Sequence, residues 1–138
     1  MPTIFEQIVA GEKPGRIVHE TETTLAFLDA NPLARGHTLV IPKEPYERLD
    51  DMPADVAGDV FGVVHELTPT IEDAVEADGT TIGMNNGEAA GQEVPHAHVH
   101  IIPRFDGDGG GPIHAVSPSR PDLSDAELDE IEAAISEG

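Results

Sequence analysis

The chain has 138 residues, 27 acidic and seven basic, no cysteine, and a formal net charge of −20. That length makes one ordinary domain with room for a real core; the missing cysteines exclude disulfides, thiolate zinc sites and a cysteine nucleophile. The charge repels a nucleic-acid backbone, no apolar run reaches a membrane-spanning length, and the N-terminus has no leader pattern, so a cytoplasmic protein without nucleic-acid or membrane partners is expected. The acids are spread along the chain and read as a solvated surface suited to molar salt, where the Debye length is about 3 Å.

In chain order, residues 3–11 predict a short helix. Ile4, Phe5, Ile8 and Val9 form its apolar stripe and Gly11 its stop. Residues 16–20 and 24–28 predict two strands around a polar turn, and 36–42 a third. Valine and leucine recur at helical spacing over 53–78, and Pro69 inside that run predicts a kink or a break. Residues 80–85 predict a strand, 86–91 a small-residue loop, 94–102 the last strand and 106–112 a flexible loop. Ser124, with Glu127 three residues on, opens a terminal helix whose apolar face is Leu128, Ile131 and Ile135. This order favours an α+β fold, an antiparallel sheet of about five strands with helices packed on it.

The chemistry concentrates in residues 95–104, PHAHVHIIPR. Alternation along a strand puts His96, His98 and His100 on one face, about 6.6–6.8 Å apart, with Ala97, Val99 and Ile101 pointing to the core. Imidazole titrates near neutral pH, so such a row offers both protons and nucleophilic lone pairs. Three ligands at i, i+2 and i+4 spread too far for one ion, although two of them with His37 form a conceivable metal set. His19, His65 and His114 read as structural or surface residues, and Arg104 as a strand-end anchor for a carboxylate.

The segments FEQIVAGEKP, LAFLDANP, GHTLVIPK, NNGEAAGQ and HAHVHIIPR, in this order, resemble the histidine-triad (HIT) family, most closely its bacterial and archaeal branch. The likeness runs from about residue 4 to 104, within a single domain spanning 1–138; the tail 105–138 matches least. The resemblance implies that His98 attacks the α-phosphorus of a nucleotide and forms a nucleotidyl-histidine that water then hydrolyses. It implies that His96 and His100 contact phosphate oxygens, that His37 supports proton placement, and that Asp29 binds ribose hydroxyls. Asn85 and Gln92 match phosphate-side amides, and backbone amides around residues 91–94, at Glu93 and Val94, can donate to a phosphoryl oxygen. Glu93 stands where relatives often carry a hydroxyl, and an ionised carboxylate cannot protonate a leaving group. Thr3 and Glu6 stand where some relatives hold zinc through cysteines, so neither metal nor cofactor is expected. The resemblance further implies a homodimer with a continuous sheet, and a purine nucleotide such as AMP or GMP as ligand. The candidate reactions are hydrolysis or transfer on nucleoside phosphoramidates, adenylates or dinucleoside polyphosphates. The alternatives are a nucleotide-binding regulator with vestigial turnover and a metal-dependent hydrolase using the histidines as ligands.

Overall fold

Thr3 opens the first helix, α1 (Ile4–Val9), in the computed structural model, which describes residues 2–138. Its hydroxyl accepts the Glu6 N–H while the Glu6 carboxylate accepts the Thr3 N–H, both at 3.1 Å. This reciprocal cap stabilises a helix too short to persist alone.

Five strands follow: β1 (Ile17–Glu20), β2 (Thr24–Leu28), β3 (Thr38–Pro42), β4 (Gly79–Gly83) and β5 (Val99–Arg104). They form one antiparallel sheet in the order β1-β2-β3-β5-β4, so the last strand lies between β3 and β4. This is the α+β architecture the sequence predicts. Alternation sorts the side chains onto two faces. Ala26, Val40, Val99 and Ile101 meet Val60, Val63, Val64, Leu67 and Ile71 of the long helix α2 (Ala54–Val75). Leu25, Phe27, Leu39 and Ile41 meet Phe5 of α1, with Ile8, Val9 and Val94 at the edge. The sheet is therefore packed on both sides, and the α1 side carries the histidines.

Three expectations are corrected. Helix α2 runs through Pro69 without a break. His65 and Pro69 both face solvent, so water can take the place of the amide partner that proline removes from the His65 carbonyl. The last strand begins at Val99, not near residue 94. Pro95 lacks an N–H, the His96 N–H turns back to the Val94 carbonyl at 2.8 Å, and the Ala97 N–H goes to the Tyr46 carbonyl at 2.7 Å, so no ladder forms before Val99. Strand β4 stops at Gly83, opposite His100, and leaves Asn85 in the following loop.

The tail is held at its root. Arg104 grips the Asp108 carboxylate with two hydrogen bonds, of 2.8 and 3.0 Å, as the anchor reading expects. A terminal helix, α3 (Asp125–Ser136), starts from the predicted Ser124–Glu127 capping box. Every residue from Asp106 onward is exposed, including Leu128, Ile131 and Ile135, so the apolar face of α3 is left open to solvent. Among the described residues no helix is long and apolar enough to cross a membrane.

Candidate active site

His96, His98 and His100 keep the alternation of a strand although only His100 belongs to one. Ala97, Val99 and Ile101 are buried against α2, and the imidazoles lie on the α1 side. Phe5 of α1 presses its ring against two of them, with centroids 5.8 Å from His96 and 5.0 Å from His98, both in edge geometry. The His96 ring is fully buried. Its Nε2–H donates to the Pro42 carbonyl at 2.7 Å, and its Nδ1 is sealed without a partner. Burial is the main cause that lowers its pKa, opposed by the Pro42 carbonyl and the Glu6 charge. This ring fastens the segment to the end of β3.

His98 is held differently. Its Nδ1 lies 2.8 Å from the His96 carbonyl, which can only accept, so Nδ1 carries the proton. In the neutral ring the lone pair is then on Nε2. Among the described residues that atom has no hydrogen bond, and it is not one of the sealed, unpartnered atoms. The His98 and His100 ring centroids are 5.0 Å apart.

A second chain of bonds fixes the tautomers beside it. The Leu33 N–H donates to His37 Nδ1 at 3.0 Å, which leaves the His37 proton on Nε2. That Nε2–H points to His100 Nδ1 at 2.9 Å, with Asp29 Oδ2 3.5 Å away. His100 therefore keeps its proton on Nε2, a buried N–H with no protein acceptor. Asp29 is itself oriented by the Asn31 N–H, 2.9 Å from its other oxygen. Burial lowers the pKa of His37 against the pull of Asp29. Burial, then the neighbouring His98 and His37, lower that of His100 to about 4. Both rings are neutral at pH 7, as the directional bonds require.

A family model described as HIT domain matches residues 10–107. The chain belongs to the HIT family. An uncharacterized HIT-like protein of Methanocaldococcus jannaschii is 49% identical over 108 residues, which cover 77% of this chain and 81% of that one. The crystal structure of a HIT family member from Bacillus subtilis superposes with a TM-score of 0.87 at 37% identity, covering 99% of this chain and 96% of that one. A Candida albicans protein named adenosine 5'-monophosphoramidase is 38% identical over 107 residues, 75% of this chain and 70% of its own.

In this HIT protein the loop between β4 and the histidines uses its amides unevenly. Every polar atom of the Gln92 side chain is engaged: Oε1 accepts the Gly87 N–H at 2.8 Å, and Nε2 donates to the carbonyls of Glu47 at 2.6 Å and Val94 at 3.0 Å. Gln92 is a fastening of the loop, and the structure shows no polar atom of it left over for phosphate. Asn86 does similar work, accepting the Leu49 N–H at 2.8 Å. Asn85 is exposed and its side chain has no hydrogen-bond partner among the described residues, so it remains open to a ligand. Glu93 is exposed, and the backbone N–H groups of Glu93 and Val94 donate to nothing among the described residues.

Sequence reasoning read Phe5 only as a member of an apolar stripe. Its contact with the rings of His96 and His98 comes from α1 crossing the sheet, which no local pattern encodes. The carbonyl of Pro42 and the amide of Leu33 were also missed, because backbone partners carry no side-chain signature.

Proposed function

We propose that this HIT family nucleotide-binding hydrolase cleaves its substrate at the α-phosphorus through a covalent bond to His98 Nε2. One observation carries the reading: a backbone carbonyl holds the His98 proton on Nδ1 and leaves Nε2 unengaged and reachable. In-line attack forms the Nε2–P bond and breaks the bond from phosphorus to the leaving group. Water then attacks the same phosphorus, releases the nucleoside monophosphate and returns the lone pair to Nε2. The amides of Glu93 and Val94 suit a phosphoryl oxygen, whereas the His100 Nε2–H, sealed like His96 Nδ1, is closed to a ligand unless its neighbours shift. His96 acts through its neighbour: its fixed backbone supplies the carbonyl that orients His98. Asp29, with one oxygen on the Asn31 amide and the other toward His37, can accept ribose hydroxyls from a purine nucleotide such as AMP or GMP. The expected cytoplasmic homodimer would continue the sheet through β4, the edge strand on the histidine side of the fold.

The metal-dependent reading is weaker on geometry. Asp29, His37 and His100 offer ligand atoms within 4.8 Å of one another. A cation on His37 Nε2 needs that lone pair bare and the proton on Nδ1, where second-shell acceptors normally receive it. Here the Leu33 amide donates to Nδ1, which holds the ring in the opposite tautomer.

The test is a quench experiment with an α-labelled adenosine phosphoramidate. Acid-labile label on His98 is expected, and His98→Ala should abolish turnover while AMP still binds. Unchanged labelling or turnover in that variant overturns the assignment. Turnover abolished by a chelator would favour the metal reading, and AMP binding without any turnover the regulator.

A further inference from the structure

The rim of the site is built from two segments, residues 44–51 and 84–94, laced together. Besides the bonds of Gln92 to Glu47 and of Asn86 to Leu49, the Ala97 N–H reaches the Tyr46 carbonyl, so this rim borders the histidine segment directly. The two segments hold six acids, Glu44, Glu47, Asp50, Asp51, Glu88 and Glu93, and one cation, Arg48. Arg48 is pinned by a single bond, Nε to Asp50 Oδ1 at 3.1 Å. Its Nη1 and Nη2 groups donate to no protein acceptor among the described residues, and the side chain is half exposed. The guanidinium lies across Gly87, where an added Cβ would collide with Nη1. Gly87 has φ +97°, so a larger residue is disfavoured there on backbone grounds as well.

We infer that Arg48 is a specificity-determining residue that receives the anionic leaving group of a polyphosphate-bridged substrate. The inference rests on the α-phosphorus reading and narrows its substrate class to nucleotides whose leaving group is itself a nucleotide or polyphosphate. Two independent features point the same way. A planar, permanently charged fork with two unused edges is the side chain best matched to phosphate oxygens, and it is the one positive group on an otherwise acidic rim. Second, the 84–94 loop carries no hydroxyl, lysine, arginine, histidine or cysteine that could hand a proton to a leaving group, and its only ionisable side chains are the exposed carboxylates of Glu88 and Glu93. An amine must gain a proton as its bond to phosphorus breaks. A phosphate leaving group does not: the electron pair of the broken Pα–O bond stays on an oxygen whose charge is delocalised, and whose last pKa is about 6. A site with a fixed cation and no acid at the exit therefore favours phosphate over amine departure.

The test compares two substrates on three proteins. Diadenosine triphosphate and adenosine 5'-phosphoramidate are assayed with wild type, Arg48→Gln and Arg48→Lys. In Arg48→Gln, kcat/KM for the triphosphate should fall at least 10-fold while that for the phosphoramidate changes less than twofold; Arg48→Lys should recover part of the loss. In parallel, the dissociation constant for ADP should rise in Arg48→Gln and that for AMP should not. Equal losses on both substrates mean that Arg48 only braces the turn at Asp50, and no loss on either means that it does not meet the leaving group; each overturns the inference. If the wild type turns over neither substrate, the α-phosphorus reading fails, while the ADP-against-AMP comparison still decides whether Arg48 holds the extra phosphate.

Discussion

Protonation of His100 offers a quantitative test of the buried imidazole chain. In the unfolded chain this ring titrates near 6.5; in the folded protein burial and two neighbouring imidazoles bring it to about 4. Above pH 6.5 neither state binds the proton. Between 6.5 and about 4 the unfolded chain binds it and the folded one does not, so stability falls as the pH is lowered through this window. Below it both states are charged and the loss stops growing. The full difference corresponds to at most about 3.4 kcal/mol. The ring is only part-buried, and screening on its open side reduces the working figure to about 2 kcal/mol. Acidification also discharges the many surface carboxylates, which relieves repulsion and acts in the opposite sense, so wild type alone is a poor reporter. The comparison is therefore with His100→Gln, which keeps the surface and removes the titrating group. Urea denaturation at fixed molar potassium chloride, from pH 7.5 to 4.5, should show the wild type losing about 1.5 kcal/mol relative to the variant. Parallel pH profiles for the two proteins would refute the claim that this ring is held neutral.

Phe5→Ala should destabilise the fold by about 3 kcal/mol, measured by urea denaturation, because a buried ring is lost. The same change should lower kcat more than it weakens AMP binding, since His98 loses its packing partner. Gly36 has φ +86°, and an added Cβ would stand 3.0 Å from Val75 Cγ1. Gly36→Ala should therefore cost at least about 1–2 kcal/mol in chemical denaturation and disturb the adjacent His37. Removing salt should lower the melting temperature, because 27 acids face seven bases and only three lysine or arginine ion pairs form among the described residues. Identical melting curves in dilute and molar potassium chloride would contradict that expectation.

Much of the fold is readable from local pattern. Short β-rich runs bounded by turn signals locate β1, β2 and β3, and alternation along 96–101 assigns Ala97, Val99 and Ile101 to the core even where the backbone leaves the ladder. The face on which the imidazoles lie is thus legible without a regular strand. The strand's start is not, because it depends on where the Tyr46 carbonyl waits for the Ala97 amide, a contact across 51 positions of the chain. The Thr3–Glu6 cap was readable in principle, since it has the same Thr/Ser-x-x-Glu spacing that identified the start of α3. Resemblance supplied Asp29 and His37 as site residues, and the structure brings both beside His100. It also supplied Gln92 as a phosphate-side amide, whereas the fold spends that side chain on holding the rim together.

The placement of β5 bears on how the protein comes into being. It is the last strand to be synthesised, yet it lies in the interior of the sheet. Until it emerges from the ribosome, β3 and β4 each expose an edge, and β4 has no neighbour at all. Both ladders close together when Val99–Arg104 arrives, and the same six residues bring in His100. A chain cut short before this point has neither a finished sheet nor His100. Completion of the sheet and arrival of the imidazole row are thus one event, and an unfinished chain carries bare strand edges open to aggregation.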